Sequence, residues 1–247
     1  MDNAHVRALV TGASRGIGYS IAQKLLETGA TVIGTARSSK FDDDLAGNSR
    51  FEEIHVDLAG LDEVRQQIKP LFDREEAPNV LINNAGISED APFSSSDSEW
   101  MQNWNRTIAI NLTAPSLISK WAINRWVGEG DGILINVSSR AAYRGDTQQF
   151  ASYAASKGGL VSFTKSIARD FGRQGIAAYS IAPGFIDTDM ASEVKEVYGE
   201  EYLTQDLSFD EVTPPGQVGE MVAFLASGKV KHMTGATFHI NGGSYMI

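Results

Sequence analysis

The sequence contains no cysteine. That excludes a disulfide framework and any thiol chemistry, and it fits a cytoplasmic setting. Histidine is scarce too. The four at positions 5, 55, 232 and 239 form no metal-ligand spacing, so no metal is expected. No apolar run is long enough to span a bilayer. The opening "MDNAHVRALV" lacks the basic start and apolar stretch of a secretory leader. Positive charge is also in short supply, with 21 Lys and Arg against 31 Asp and Glu and a formal net charge of −10. This balance disfavours nonspecific binding to nucleic acid or to an anionic membrane. It leaves room for an acidic small molecule in a local basic pocket.

What is present describes a folded α/β chain. The 247 residues are 42% hydrophobic and 21% charged, enough for a sizeable core in one domain, 1–247. Seven short apolar segments read as buried strands: 8–10, 31–36, 51–56, 79–86, 132–139, 175–184 and 235–242. Amphipathic stretches lie between them. In 16–29, Ile17, Ile21 and Leu25 recur at helical spacing and Gly29 closes the run. Segments 61–72 and 151–171 follow the same pattern. Strand and helix alternate from start to end, which predicts a doubly wound, mostly parallel seven-stranded sheet with helices on both faces. Ligands of such sheets bind past the carboxyl ends of the strands.

The stretch "LVTGASRGIG" (9–18) follows the first strand and opens the first helix, with Gly12, Gly16 and Gly18 in G-x-x-x-G-x-G order. Glycines let the backbone approach a pyrophosphate, and the helix N-terminus offers it N–H groups and positive dipole character. In dinucleotide folds, an acid near the end of the second strand binds the ribose 2′-hydroxyl of NAD. Ala36 and Arg37 stand there instead, and Arg15 sits inside the glycine loop. Guanidinium groups match a 2′-phosphate, so NADP(H) is favoured over NAD(H). The acids Asp42–Asp44 read as a solvated helix start. Asp57, after the third strand, suits either an adenine amino group or a helix cap. Residues 83–86, "NNAG", suit close passage of a cofactor or a simple turn.

Tyr153 and Lys157 lie four apart in a helical segment and so share a face. A nearby ammonium favours the phenolate. Such a phenol can give or take the proton that accompanies hydride transfer. Spacing alone is weak evidence. Its weight comes from Ser138 and Ser139, which end the preceding strand, and from the glycine loop.

Together "TGASRGIG" (11–18), "NNAG" (83–86), "NLT" with Asn111, "NVSS" (136–139), "YAASK" (153–157), "APGFIDTDM" (182–190) and "TGATFHINGG" (234–243) resemble the classical short-chain dehydrogenase/reductase family over nearly the whole chain. Among its subgroups the chain is most similar to 3-oxoacyl-acyl-carrier-protein reductases. The resemblance implies a Rossmann-type fold and an NADP(H)-dependent oxidoreductase of carbonyls or secondary alcohols. It implies a catalytic set of four. Asn111 would hold a structural water near the lysine. Ser139 would bind the substrate oxygen, its spacing to Gly145 favouring it over Ser138. Tyr153 would be the acid/base, and Lys157 would bind the nicotinamide ribose and lower the tyrosine pKa. The cofactor set would be Gly12, Ser14, Arg15, Gly16, Ile17, Gly18, Arg37, Asp57, Leu58, Asn84, Ala85, Gly86, Tyr153, Lys157, Pro183, Gly184, Ile186 and Thr188.

Two departures from the family pattern stand out, and further features bear on the substrate. Ser139 precedes Tyr153 by 14 positions, one more than is common in the family, which puts an extra residue in the loop 140–152. Tyr179 stands where many relatives carry asparagine, and Tyr143 is expected to line the substrate pocket. The segment 189–212 should form a substrate lid, with Val194, Val197, Tyr198, Tyr202 and Leu203 as its apolar residues. Its carboxylates disfavour a highly anionic substrate. The acidic stretch 127–132 weighs against an acyl carrier protein as partner. A homo-oligomer, dimer or tetramer, is expected through helices 98–127 and 151–171 and the C-terminal tail. A cofactor-binding regulator on the same fold is the competing class, since fold alone does not fix function.

Overall fold

Side chains on successive strand residues point to opposite faces, and this alternation divides the core. The computed structural model describes residues 2–38, 40–188, 196 and 199–247. Its strands are β1 (Arg7–Val10), β2 (Thr31–Ala36), β3 (Phe51–His55), β4 (Val80–Asn83), β5 (Gly132–Val137), β6 (Ile176–Pro183) and β7 (Thr237–Ile240). They form one seven-stranded sheet in the order β3-β2-β1-β4-β5-β6-β7. Every pairing is parallel, as expected of strands joined by helical crossovers. The fold is the Rossmann-type α/β arrangement. Strand order reverses between β1 and β4, so their carboxyl ends frame the crevice where ligands of such sheets bind.

One face carries Ala8, Val10, Ile82, Ile135, Tyr179 and Ile181. They pack on α1 (Gly16–Glu27) and the helix Pro215–Ala226, through Ile21, Leu25, Val218 and Val222. Gly219 allows these two helices to touch, because a Cβ there would lie 2.7 Å from the Ser20 carbonyl oxygen. Tyr179 is fully buried on this face, and its hydroxyl donates to the Val230 carbonyl at 3.1 Å. Its effect is therefore on packing at the β7 side of the sheet.

The other face carries Leu9, Leu81, Leu134 and Ala178. It is covered by α3 (Leu61–Gln67), by α5 (Ala114–Glu129), into which α4 (Asp97–Ile108) leads, and by the helix Ala151–Phe171, while the short α2 (Asp43–Ala46) adds Leu45 to the first face. Trp126 of α5 is fully buried, and its indole N–H donates to the Pro78 carbonyl at 2.8 Å. Trp100 and Trp104 instead stack at 5.1 Å on the outer part of α4. Two predicted helices are interrupted. The segment 61–72 ends as α-helix at Gln67 and continues as a 3₁₀ turn, Lys69–Asp73, because Pro70 cannot supply an N–H. The segment 98–127 is two helices joined by a π-turn, Ala109–Thr113, that contains Asn111. After β5 come α6 (Ala141–Arg144) and α7 (Ala151–Phe171).

Candidate active site

The glycine loop has the geometry of an anion cradle. Gly12 and Gly16 take φ of +69° and +56°, left-handed values that favour glycine. A Cβ on Gly18 would lie 1.9 Å from the Gly12 carbonyl oxygen and 2.5 Å from Asn84 Nδ2, so the loop closes only with glycine there. No side chain caps α1, and its first turn holds no acid, leaving that N-terminus suited to a phosphate. Ser14 and Ile17 are half-buried in the loop, and Arg15 is exposed. These features fit a dinucleotide.

Asn84 ties this loop to the end of β4. Its Nδ2 donates to the carbonyls of Thr11 and Gly12 at 2.9 and 3.1 Å. The Thr11 hydroxyl accepts in turn from the Asn84 and Ala85 N–H groups. Beneath them, a buried amide chain runs from Asn83 to Asn136 and on to Thr164, each bond 2.8 Å. It locks the ends of β4 and β5 to α7. At the end of β2, Arg37 is exposed. The Asp42 carboxylate accepts from Asp44 N at 3.0 Å and caps α2, as the acid run suggested. Asp57 accepts from Ala59 N at 2.9 Å in a local turn, and Leu58 is buried beside it in the core.

Four residues separated in sequence meet at the far side of this crevice. Lys157 is buried, and its ammonium donates to the Val137 carbonyl at 2.8 Å and lies 5.8 Å from the Tyr153 ring. Burial pushes its pKa down from 10.5 to about 8. The Tyr153 phenol is held above its ordinary value, first by burial. A hydrogen bond with Ser139 and the charge of Arg140 pull the other way. The two serines have separate tasks. Ser138 donates to the Lys157 carbonyl at 3.0 Å, whereas the Ser139 hydroxyl turns to Tyr153 and accepts from Ala141 N at 3.1 Å.

Asn111 is fully buried on the π-turn. Its Oδ1 accepts from Ile87 N and its Nδ2 donates to the Ile87 carbonyl, both at 2.9 Å, with a further bond of 3.1 Å to Ser156. The bulge aims this amide at the chain leaving β4, in keeping with the frequent use of π-bulges at functional sites. Lys157 and Asn111 converge on Gly86, where a Cβ would lie 3.2 Å from Nζ and 3.3 Å from Oδ1.

The segment after β6 completes the rim. Pro183 ends the strand, and Gly184 passes so close to Asn241 that a Cβ would lie 2.9 Å from its Cα. Ile186 is buried, and Thr188 packs against Gly16 of the glycine loop. The two ends of the expected lid meet here. Asp187 N donates to the Thr213 carbonyl at 3.0 Å, beside a parallel bridge between Ile186 and Thr213. Val194, Val197 and Tyr198 lie outside the described residues, along with the rest of 189–195. Further on, the helix Glu200–Thr204 buries Leu203 and sets the Tyr202 ring 6.0 Å from Phe185. Asp206 lies 3.9 Å from the Arg144 guanidinium.

Tyr143 does not line the pocket as expected. It sits in α6, its hydroxyl bonded to Thr237 Oγ1 at 2.5 Å and its ring against His239, so it braces β7. Arg140 was not anticipated. It is buried with its guanidinium 4.3 Å from the Phe185 ring centroid. In sequence it looks like any loop arginine; its adjacency to Ser139 was the available signal.

A hydroxyl pair beside a buried amine, across from an anion-binding helix terminus, suits reduction of a carbonyl with a bound dinucleotide. Residues 12–245 match the family described as enoyl-(acyl carrier protein) reductase. The chain is 37% identical over 244 residues to the 3-oxoacyl-acyl-carrier-protein reductase FabG of Vibrio cholerae, covering 97% of each. Solved structures share the fold at lower identity. A Beutenbergia cavernae protein, described as an NAD(P)-dependent gluconate 5-dehydrogenase and solved with NADP at low occupancy, is 27% identical, with a TM-score of 0.90 and 98% of each chain covered. A 4-hydroxyisoleucine dehydrogenase in complex with NADH is also 27% identical, with a TM-score of 0.87 over 97% of this chain and 98% of that one. The chain belongs to the short-chain dehydrogenase/reductase family. Within that class it is an oxidoreductase that acts on a carbonyl or alcohol with a nicotinamide dinucleotide. Among the described residues no helix is long and apolar enough to cross a membrane, and no group of His, Asp and Glu suits a metal ion.

Proposed function

We propose that this chain interconverts a ketone and a secondary alcohol with NADP(H), using Tyr153 as the acid/base. The observation that carries the reading is the pairing of the Ser139 and Tyr153 hydroxyls over a buried Lys157. The bound nicotinamide supplies or removes the hydride. Ser139 and Tyr153 hold the carbonyl oxygen, and Tyr153 gives it a proton as negative charge develops there. Lys157 binds the nicotinamide ribose, and its positive charge stabilises the phenolate left behind. Asn111 fixes the Gly86–Ile87 corner beside that amine and orders a water there. Gly12, Ser14, Gly16, Ile17 and Gly18 hold the pyrophosphate, and Thr188 reaches it from the opposite rim. Asn84, Ala85, Gly86, Pro183, Gly184 and Ile186 line the path of the cofactor. Asp57 and Leu58 border the adenine.

Arg15 and Arg37 favour the 2′-phosphate of NADP(H), and the nearest acids after β2 stand at the start of α2, where Asp42 caps the helix and Asp43 pairs with Lys40. Residues 189–212 close over the substrate. The names of these proteins point to a 3-oxoacyl group, gluconate and 4-hydroxyisoleucine, all oxygen-bearing carbon chains. The 3-oxoacyl-carrier-protein role is the second reading, favoured by the 37% identity. We place the protein in the cytoplasm as a homo-oligomer, with exposed Phe93 and Met101 beside the Trp100–Trp104 stack as one contact surface.

The test is a carbonyl panel, including a 3-oxoacyl thioester, assayed with NADPH and NADH in parallel. Tyr153→Phe should bind NADPH and lose turnover. Substantial activity in that variant would sink the catalytic assignment, and a preference for NADH would sink the cofactor choice.

A further inference from the structure

Among the described residues only two charged side chains are buried, Lys157 and Arg140. Lys157 is accounted for by the Val137 carbonyl. Arg140 is 5% exposed and has no such partner. Its guanidinium rests on the face of Phe185 at 4.3 Å, and among the described residues no carboxylate lies within ion-pair distance. The nearby carboxylate of Asp206 is 3.9 Å from Arg144 instead. A guanidinium carries five N–H donors, and a ring face satisfies none of them as an anion does. Charges are seldom buried unless paired, because an ion taken out of water loses its hydration. Burial holds the Arg140 pKa below the usual arginine range, and Arg144 lowers it further. Asp206, Asp146 and Tyr202 pull the other way.

Its position gives this unpaired charge a use. Arg140 follows Ser139 directly, and its charge acts on the Tyr153 phenol. Its backbone N–H is fixed to the Pro183 carbonyl at 2.9 Å. Phe185 beneath it follows Pro183–Gly184, and Tyr202 of the expected lid stands 6.0 Å beyond Phe185. The guanidinium thus lies within electrostatic reach of both the Tyr153 phenol and Tyr202 of the expected lid.

We infer that Arg140 binds a carboxylate of the substrate, which is therefore an oxo acid or the hydroxy acid formed from it. The inference rests on the reading of Ser139 and Tyr153 as the oxygen-binding pair, and it names the substrate class of that site. The carboxylate takes no part in bond changes. The ketone carbon gains the hydride, the ketone oxygen gains the Tyr153 proton, and the acid group stays paired throughout. One guanidinium, flanked by Asp146 and Asp206, suits one carboxylate and not a polyanion. This agrees with the acidic lid.

The experiment compares acids with their uncharged analogues. Pyruvate, acetoacetate and 4-oxopentanoate scan the spacing between carbonyl and carboxylate, each beside its methyl ester. Binding to the NADP⁺-loaded protein is measured by calorimetry, independently of turnover. Wild type should bind at least one acid tenfold or more tighter than its ester. Arg140→Met should bring that ratio toward one, and Arg140→Lys should keep part of it. Equal or absent binding of acid and ester in wild type overturns the inference, as does an acid preference that survives Arg140→Met. If Arg140→Met does not fold, the wild-type ratio and Arg140→Lys decide. Hydride transfer itself is judged separately by Tyr153→Phe with neutral ketones, so the two readings fail apart.

Discussion

Replacing Lys157 with methionine in the cofactor-free protein should make the fold more stable at pH 7. The amine is buried, and its pKa is pushed from 10.5 down to about 8. At about 1.4 kcal/mol per pH unit, that displacement amounts to roughly 3 kcal/mol of destabilisation while the amine is protonated. Methionine removes this penalty with similar length and no charge. It also leaves the Val137 carbonyl without its 2.8 Å donor, which costs about 1–2 kcal/mol. A net gain of about 1–2 kcal/mol should remain. The pH dependence separates the two contributions. Lys157 has a folded pKa below its unfolded value. Between pH 8 and 10.5 the unfolded chain therefore holds more protons, and wild-type stability rises with pH through that window. Below about 8 both states are protonated and the penalty is full. Urea unfolding of both proteins at pH 7 and 9.5 reads the difference directly. The variant's advantage should shrink by about 2 kcal/mol over that interval. An unchanged gap between the two pH values would refute the burial argument, whichever protein is the more stable. Turnover should fall in the same variant, an exchange of stability for function common at active sites.

Gly18→Ala should displace the glycine loop, because its Cβ would lie 1.9 Å from the Gly12 carbonyl oxygen. An NADPH fluorescence titration should show Kd raised tenfold or more, and an unchanged Kd would exclude this loop as the phosphate cradle. Ser96→Ala removes half of a capping box with Glu99 at the start of α4. Stability should drop by about 1 kcal/mol in denaturant titrations while kcat and KM hold. A change in kcat would mean that the start of α4 is coupled to the chemistry.

The sheet was readable because a parallel, doubly covered strand needs apolar residues on both faces, and segments such as "ILI" (133–135) supply them without interruption. The glycine loop was readable for a similar reason, since its backbone conformation admits few other residues. Chain interruptions were harder. Pro70 is visible in the sequence, yet whether it ends a helix or tightens it into a 3₁₀ turn depends on how Leu71 and Phe72 are buried. The π-turn at Asn111 leaves no mark in hydrophobic spacing. It exists to direct one amide toward Ile87, which lies 24 residues earlier. Tyr143 and Arg140 show the same limit. Their surroundings are Thr237 and Phe185, and no local pattern around residues 140–143 reveals which partner the chain will bring back.

The bridge between Ile186 and Thr213 brings the two ends of the intervening segment together. Sheet and glycine loop are complete on either side of that junction, so the segment behaves as a cassette. Loop-closure entropy grows slowly, and doubling the length of such an insert costs only about 0.6 kcal/mol. The junction thus allows the chain between residues 187 and 213 to change in length with little effect on the strands and the glycine loop. On the proposed role of that segment as a substrate cover, new substrate ranges arise by grafting at residues 187 and 213 rather than by redesign of the core.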